Sequence, residues 1–157
     1  MRLWIACALG WLMACGGAAT PEPEAKPAAQ TKPRTPDQRT WFALEGRTSF
    51  EVVEDDLMGK DWLPAGNVAQ YDVDGKKYTL FLAFSLTPDA AALLSYEAKS
   101  KLVDAKFVPA FGGHFGMDGE TPWFVFSKGK YLLGVVGLPQ DEADTVARGF
   151  AGRVPAE

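Results

Sequence analysis

Asn67-Val68-Ala69-Gln70-Tyr71-Asp72-Val73-Asp74-Gly75-Lys76-Lys77-Tyr78-Thr79-Leu80-Phe81-Leu82-Ala83-Phe84 decides the fold. Two runs rich in β-branched, aromatic and aliphatic residues flank Asp74-Gly75. That pair is a strong hairpin signal, because a tight two-residue turn needs left-handed backbone that Asp and Gly tolerate. In the second run, alternation puts Tyr78, Leu80, Leu82 and Phe84 on one face. Lys77, Thr79, Phe81 and Ala83 take the other.

The hairpin leads into a helix. Thr87-Pro88-Asp89 supplies an N-cap, a proline for the first turn and an acid near the positive end of the helix. Ala91, Leu94, Ala98 and Leu102 then recur along one stripe. A second pass repeats the pattern. Pro122-Trp123-Phe124-Val125-Phe126 reads as a strand, Ser127-Lys128-Gly129 turns, Lys130 to Gly137 returns, and Pro139, Asp141 and Glu142 open a second helix. Ala143, Val146, Ala147 and Phe150 fall at helical spacing in it.

Gly75 to Leu80 resembles Lys128 to Leu133, and Asp89 and Ala91 align with Asp141 and Ala143 after a one-residue gap. Duplication and convergence on common hairpin chemistry both account for this. The expected fold class is α+β: a mainly antiparallel sheet built from two hairpin-helix (ββα) units, with helices on one face. A strand over Thr48 to Val53 and a short one near Lys106 to Pro109 extend it. The arrangement resembles uncharacterised domains found in exported bacterial proteins. Asp89-Ala90-Ala91, Gly112-Gly113 and Lys128-Gly129-Lys130-Tyr131 carry that likeness, which implies a fold and no catalytic assignment.

Upstream of the folded unit the composition changes. From Gly16 to Thr40, Pro21, Pro23, Pro27, Pro33 and Pro36 are interleaved with Glu, Lys, Gln, Thr and Ala, with no aromatic or large aliphatic residue. Such a stretch cannot bury enough apolar surface to offset its ordering entropy. It reads as an extended tether, reaching several tens of Å at ~3.1 Å per residue in polyproline geometry. The domain is expected over residues 41–157, one unit with a single modest core.

Ahead of the tether, Arg2 precedes an uncharged run from Leu3 to Ala14. That is the size of a signal-peptide core and too short for the roughly 20 residues that cross a bilayer. The run ends in Leu12-Met13-Ala14-Cys15, which resembles the lipobox of bacterial lipoproteins. The resemblance implies a signal peptide over residues 1–14, cleavage before Cys15, an acyl anchor on its sulfur, and a lipid bilayer as partner. Gly16 after Cys15, by resemblance to lipoprotein sorting, implies the outer membrane. Cleavage near Ala18 or Ala19 and a Cys7–Cys15 disulfide on an uncleaved leader are the alternatives, as is a leader buried in the domain.

Charge and cysteine usage narrow the function classes. The chain carries 16 Lys and Arg against 20 Asp and Glu. Losing Arg2 leaves 15 against 20, about −5, which argues against nucleic acid and against a polybasic grip on anionic lipid. Only Cys7 and Cys15 are present, so the mature domain has no thiol for a metal, a disulfide or a nucleophile.

Little chemistry is encoded beyond that. His114, in Phe111-Gly112-Gly113-His114-Phe115-Gly116, is the lone histidine. It is a weak catalytic candidate, as the base of a small hydrolase with Asp118 or Glu120. The serines lack a Gly-x-Ser-x-Gly setting. Glu54-Asp55-Asp56 and Asp72-x-Asp74-Gly75 read as solvated turns rather than calcium ligands, and no metal or cofactor is expected. Aromatic content is the remaining clue: Phe81 and Trp123, on the sheet face opposite the expected helices, would line a groove for a peptide, lipid or glycan together with His114. A non-enzymatic, membrane-tethered binding module is therefore the expected function. The hydrolase is the alternative.

Overall fold

The computed structural model describes residues 34–156; the expected leader, Cys15 and most of the tether lie outside them. Seven strands form one sheet: β1 (Arg47–Val53), β2 (Gly66–Val73), β3 (Lys76–Phe84), β4 (Val103–Val108), β5 (Gly113–Asp118), β6 (Thr121–Lys128) and β7 (Tyr131–Val136). Helices α1 (Pro88–Lys101) and α2 (Gln140–Ala151) complete an α+β architecture. The strand order is β1-β2-β3-β7-β6-β5-β4, and every pairing is antiparallel.

The deciding hairpin forms as its residues dictate. Asp74 and Gly75 both adopt positive φ, 52° and 80°, and Val73 pairs with Lys76 directly across the turn. The α1 cap also forms: Thr87 accepts a 3.1 Å hydrogen bond from the Ala90 amide.

The sheet is two meanders, β1–β3 and β4–β7, joined in the middle by the β3–β7 pairing. Helix α1 carries the chain from the central β3 to the far edge at β4. The glycine-rich stretch around His114 is largely strand β5, where Gly113 and Gly116 leave no room for a side chain: Val125 O lies 2.3 Å from the Gly113 Cβ position and the Leu102 Cβ 2.9 Å from that of Gly116.

The expectation of helices on one face is corrected. Helix α2 packs Ala143, Ala147 and Phe150 over Leu80, Leu82, Phe124, Phe126, Leu133 and Val135. Helix α1 lies on the opposite face, where Ala98 and Leu102 cover Phe81, Trp123, Val125, Leu132 and Val136. The physical reason is written in β7, whose six residues are all buried. A strand apolar at every position is stable only when both of its faces are covered.

The boundary of the domain also moves. Residues 34–40, expected as tether, are held on the α2 face by a buried asparagine. Asn67 accepts from the Gln38 amide at 2.9 Å and donates to the Pro36 carbonyl at 3.0 Å. Thr35 donates to the Glu54 carboxylate from its amide and its hydroxyl, at 3.0 and 2.8 Å. This strap delivers Phe42, 1% exposed, into the core against Phe150, with ring centroids 4.9 Å apart. Polar partners supplied by the sheet, which composition does not reveal, order it.

Candidate functional site

The α1 face has two covers. Helix α1 lies over β7 to β4, and the loop between β1 and β2 covers the rest with Leu57 and Leu63, both fully buried. Around the first of those pins the loop turns through left-handed backbone at Asp56, Met58 and Gly59, with φ of 49°, 59° and 68°. For Asp and Met this conformation costs energy that the surrounding packing must repay, and such strain clusters at functional sites. Its effect is to present Lys60, Asp61 and Trp62 along the edge of the loop that faces α1.

A furrow runs along the seam where the two covers meet. At one end is a cleft of about 320 Å³ that includes Lys60, Trp62, Lys101, Asp118 and Trp123 in its lining. At the other, a hollow of about 460 Å³ is bounded by Trp62, Pro64, Leu86, Leu93, Leu94 and Glu97. Asp61 and Trp62 border both. The helix contributes Ala90, Leu94, Glu97 and Lys101, a single stripe at i, i+4, i+7 and i+11.

The floor of the first cleft is aromatic and charged. Trp62 and Trp123 lie 6.4 Å apart between ring centroids, inclined at 46°. Lys60 pairs with the Asp118 carboxylate and holds its ammonium 5.7 Å from the Trp123 ring centre. Both partners of that pair are about one-third exposed, so water screens it. Its role is to fix the Lys60 stem across the floor rather than to hold the fold.

The residues singled out from sequence meet different fates. Phe81 does not line a groove: it is wholly buried, and its ring occupies the notch left by Gly134 on β7, where a Cβ would lie 2.0 Å from the ring. Trp123 is 3% exposed, 5.5 Å from Phe81 between centroids, and only borders the cleft. The expected exposed aromatic face is thus corrected; α1 and the β1–β2 loop seal it. Phe81 and Trp123 are brought together, but beneath the site.

His114 stands apart from both clefts, 8% exposed on β5 beneath α1, with its ring 5.6 Å from that of Phe107. Its Nδ1 has no hydrogen-bond partner, and neither has the buried Ser95 hydroxyl. Burial pushes the imidazole below its ordinary value, Lys99 adds to that, and the Ser95 backbone opposes it. Asp118 shares the His114 face but lies four residues along the strand, about 13 Å away at ~3.3 Å per residue, and is committed to Lys60. Glu120 is exposed in the β5–β6 turn. The acid–base pair expected around His114 is not assembled.

Glu54 serves as the strap's acceptor, and Asp74 is a turn residue. No group of three or more His, Cys, Asp or Glu among the described residues is placed to hold a metal ion. No helix among them is long and apolar enough to cross a membrane.

No family model, curated protein or solved structure matches the chain. The chemistry of the seam is therefore read from its own residues. Lys60, Trp62 and Lys101 were not singled out from sequence. The one local signal was a tryptophan in a loop dense in Asp, Gly and Pro, Asp55 to Gly66, where a large aromatic is out of place unless it is pinned or used.

Proposed function

We propose that this chain is a lipid-anchored protein of the bacterial envelope, acylated on Cys15 and held at the outer membrane, facing the periplasm or the surface. Its folded domain acts as a non-enzymatic binding module that takes its ligand in the seam furrow. The observation that carries the binding half of this reading is the β1–β2 loop. Two buried leucines pin it, three left-handed residues contort it, and the result is a half-buried tryptophan between two adjoining clefts. A small domain that needed only a cover for β3 would not require that strain. The anchored half rests on Leu12-Met13-Ala14-Cys15 and the proline-rich stretch after it.

The likeness between Gly75–Leu80 and Lys128–Leu133 belongs to this reading as shared hairpin chemistry rather than duplication. A two-fold relating antiparallel β3 and β7 runs normal to the sheet and would place both helices on the same side.

Two experiments test the proposal. Intact mass and membrane fractionation of the chain made in a bacterial host should show a lipid-sized gain on a chain starting at Cys15, lost in Cys15→Ala. An unlipidated chain removes the anchor. With the anchor removed by Cys15→Ala, saturable retention of the unlipidated chain on washed cell envelopes should persist, and it should disappear when Trp62→Ala is added with the circular dichroism spectrum unchanged. Retention that survives the substitution removes the seam as the binding site.

A further inference from the structure

We infer that the occupant of the seam is an extended peptide segment carrying a lysine or arginine beside aliphatic or proline residues. This rests on the reading of the seam as a binding site and specifies its ligand class.

Length is the first argument. From Ala90 to Lys101 the helix wall runs about 16 Å at 1.5 Å per residue, which matches about five residues of extended chain at ~3.3 Å each. The second is apolar surface. Leu86 is 94% exposed and Leu93 69%, and they adjoin Trp62, Pro64 and Leu94 in one hollow. Leu86 and Leu93 are the kind of adjacent exposed aliphatics that mark a contact surface rather than the scattered apolar residues of an ordinary exterior. A sugar ring can stack on Trp62 but gains little from covering two leucines.

Charge is the third. Asp61 and Glu97 stand at the rim of this hollow, and neither has an ion-pair partner among the described residues. A ligand cation placed between them is attracted by both. The same two carboxylates repel an anionic lipid headgroup, so the exposed leucines are not a membrane-insertion surface. At the opposite end Lys101, also without an ion-pair partner among the described residues, offers a cation to a peptide carboxylate or carbonyl. The furrow is thus polarised along its length, which gives a bound peptide a direction.

The test uses isothermal titration calorimetry of the full chain with two five-residue probes, acetyl-Pro-Leu-Lys-Pro-Leu-amide and its Glu-for-Lys counterpart. The lysine peptide should saturate the signal and bind roughly tenfold more tightly than the glutamate peptide, the sum of two modest charge contacts. The double variant Asp61→Lys/Glu97→Lys should reverse the order, and Trp62→Ala should abolish the response. Both substituted acids are exposed, so folding is preserved. Equal binding of the two peptides, or a preference unmoved by the charge reversal, overturns the inference. A Trp62-dependent response to an N-acetylglucosamine hexamer with none to either peptide overturns it while leaving the binding module standing. If no peptide or sugar binds and envelope retention ignores Trp62, both fall.

Discussion

The two faces of the sheet are built from similar strands and differ in how they are closed. On the α2 face, a strongly amphipathic helix buries Ala143, Ala147 and Phe150, and the strap adds Phe42. Aromatic rings interlock there: Phe42 with Phe150, Phe111 with Phe126 at 4.8 Å, and Tyr71 with Tyr78 stacked at 5.0 Å and 4°. Polar groups on that side find partners, as when the Tyr71 hydroxyl donates to the Ala43 carbonyl at 3.0 Å. On the α1 face, the helix shows apolar side chains outward as well as inward, with Leu93 and Tyr96 about two-thirds exposed. Ser95 on its buried side and His114 on the strand beneath it keep buried polar atoms unpaired, and beside it lies the strained loop. One face is closed for stability; the other is closed incompletely, and the candidate site lies along its seam.

The sharpest way to break this contrast is to truncate on both sides. Phe150→Ala should lower the free energy of unfolding by about 3–5 kcal/mol, the usual cost of emptying a buried phenylalanine site, read as a fall in the urea midpoint at unchanged slope. Leu93→Ser on the exposed side should change it by no more than about 0.5 kcal/mol. Equal losses from the two would mean that the α1 face is as tightly committed to the core as the α2 face.

A second test probes a place where the α1 face is packed without slack. Gly134→Ala pushes a methyl into the Phe81 ring, 2.0 Å from the nearest ring carbon. Overpacking of this kind should cost about 1–3 kcal/mol. Phe81→Leu in the same chain should recover part of that cost, giving a favourable coupling in a double-mutant cycle. Additive losses would show that the ring does not need the glycine notch.

These pairs also explain which parts of the molecule could be read in advance. The Asp74-Gly75 hairpin, the Thr87 cap and the α2 stripe were legible because each depends on residues within a few positions of one another. The side of the sheet taken by each helix was not, because alternation in β3 assigns Phe81 and Leu80 to opposite faces without saying that both faces are covered. The notch at Gly134 lies 53 positions from Phe81 in sequence, and only the β3–β7 pairing brings them together. The seam was hidden for the same reason: Trp62, Lys101 and Asp118 come from a loop, a helix end and a strand. His114 drew attention as the lone histidine, yet its glycine neighbours serve strand packing, not ligand access.

The strap offers a smaller test, on the α2 side. Glu54→Gln weakens both hydrogen bonds from Thr35, and should cost ~1 kcal/mol. Asn67→Ala should cost more, since it leaves the Gln38 amide and the Pro36 carbonyl without their partner. Limited proteolysis near residues 34–40 should accelerate in both. Unchanged cleavage would mean the strap is held by Phe42 alone.

The smallest expected effect returns to the incompletely closed face. His114 is buried with an unpaired nitrogen, and its folded-state value lies below the ordinary 6.5. The unfolded chain therefore takes up the proton first as pH falls. Stability from the neutral imidazole is fully present above about 6.5, is lost as pH drops toward the lower folded value, and levels off beneath it. Carboxylates titrate in the same direction, so the informative quantity is the difference between wild type and His114→Gln, followed by urea unfolding from pH 7 to roughly 5. That difference should shift steadily against the wild type. If it stays flat, the imidazole is hydrated in the native state and α1 already admits water over β5. If it shifts in favour of the wild type, an acid has reached His114 and the imidazolium is paired. The first outcome would loosen the α1 face further than its exposed leucines suggest, and the second would reopen acid–base chemistry on it.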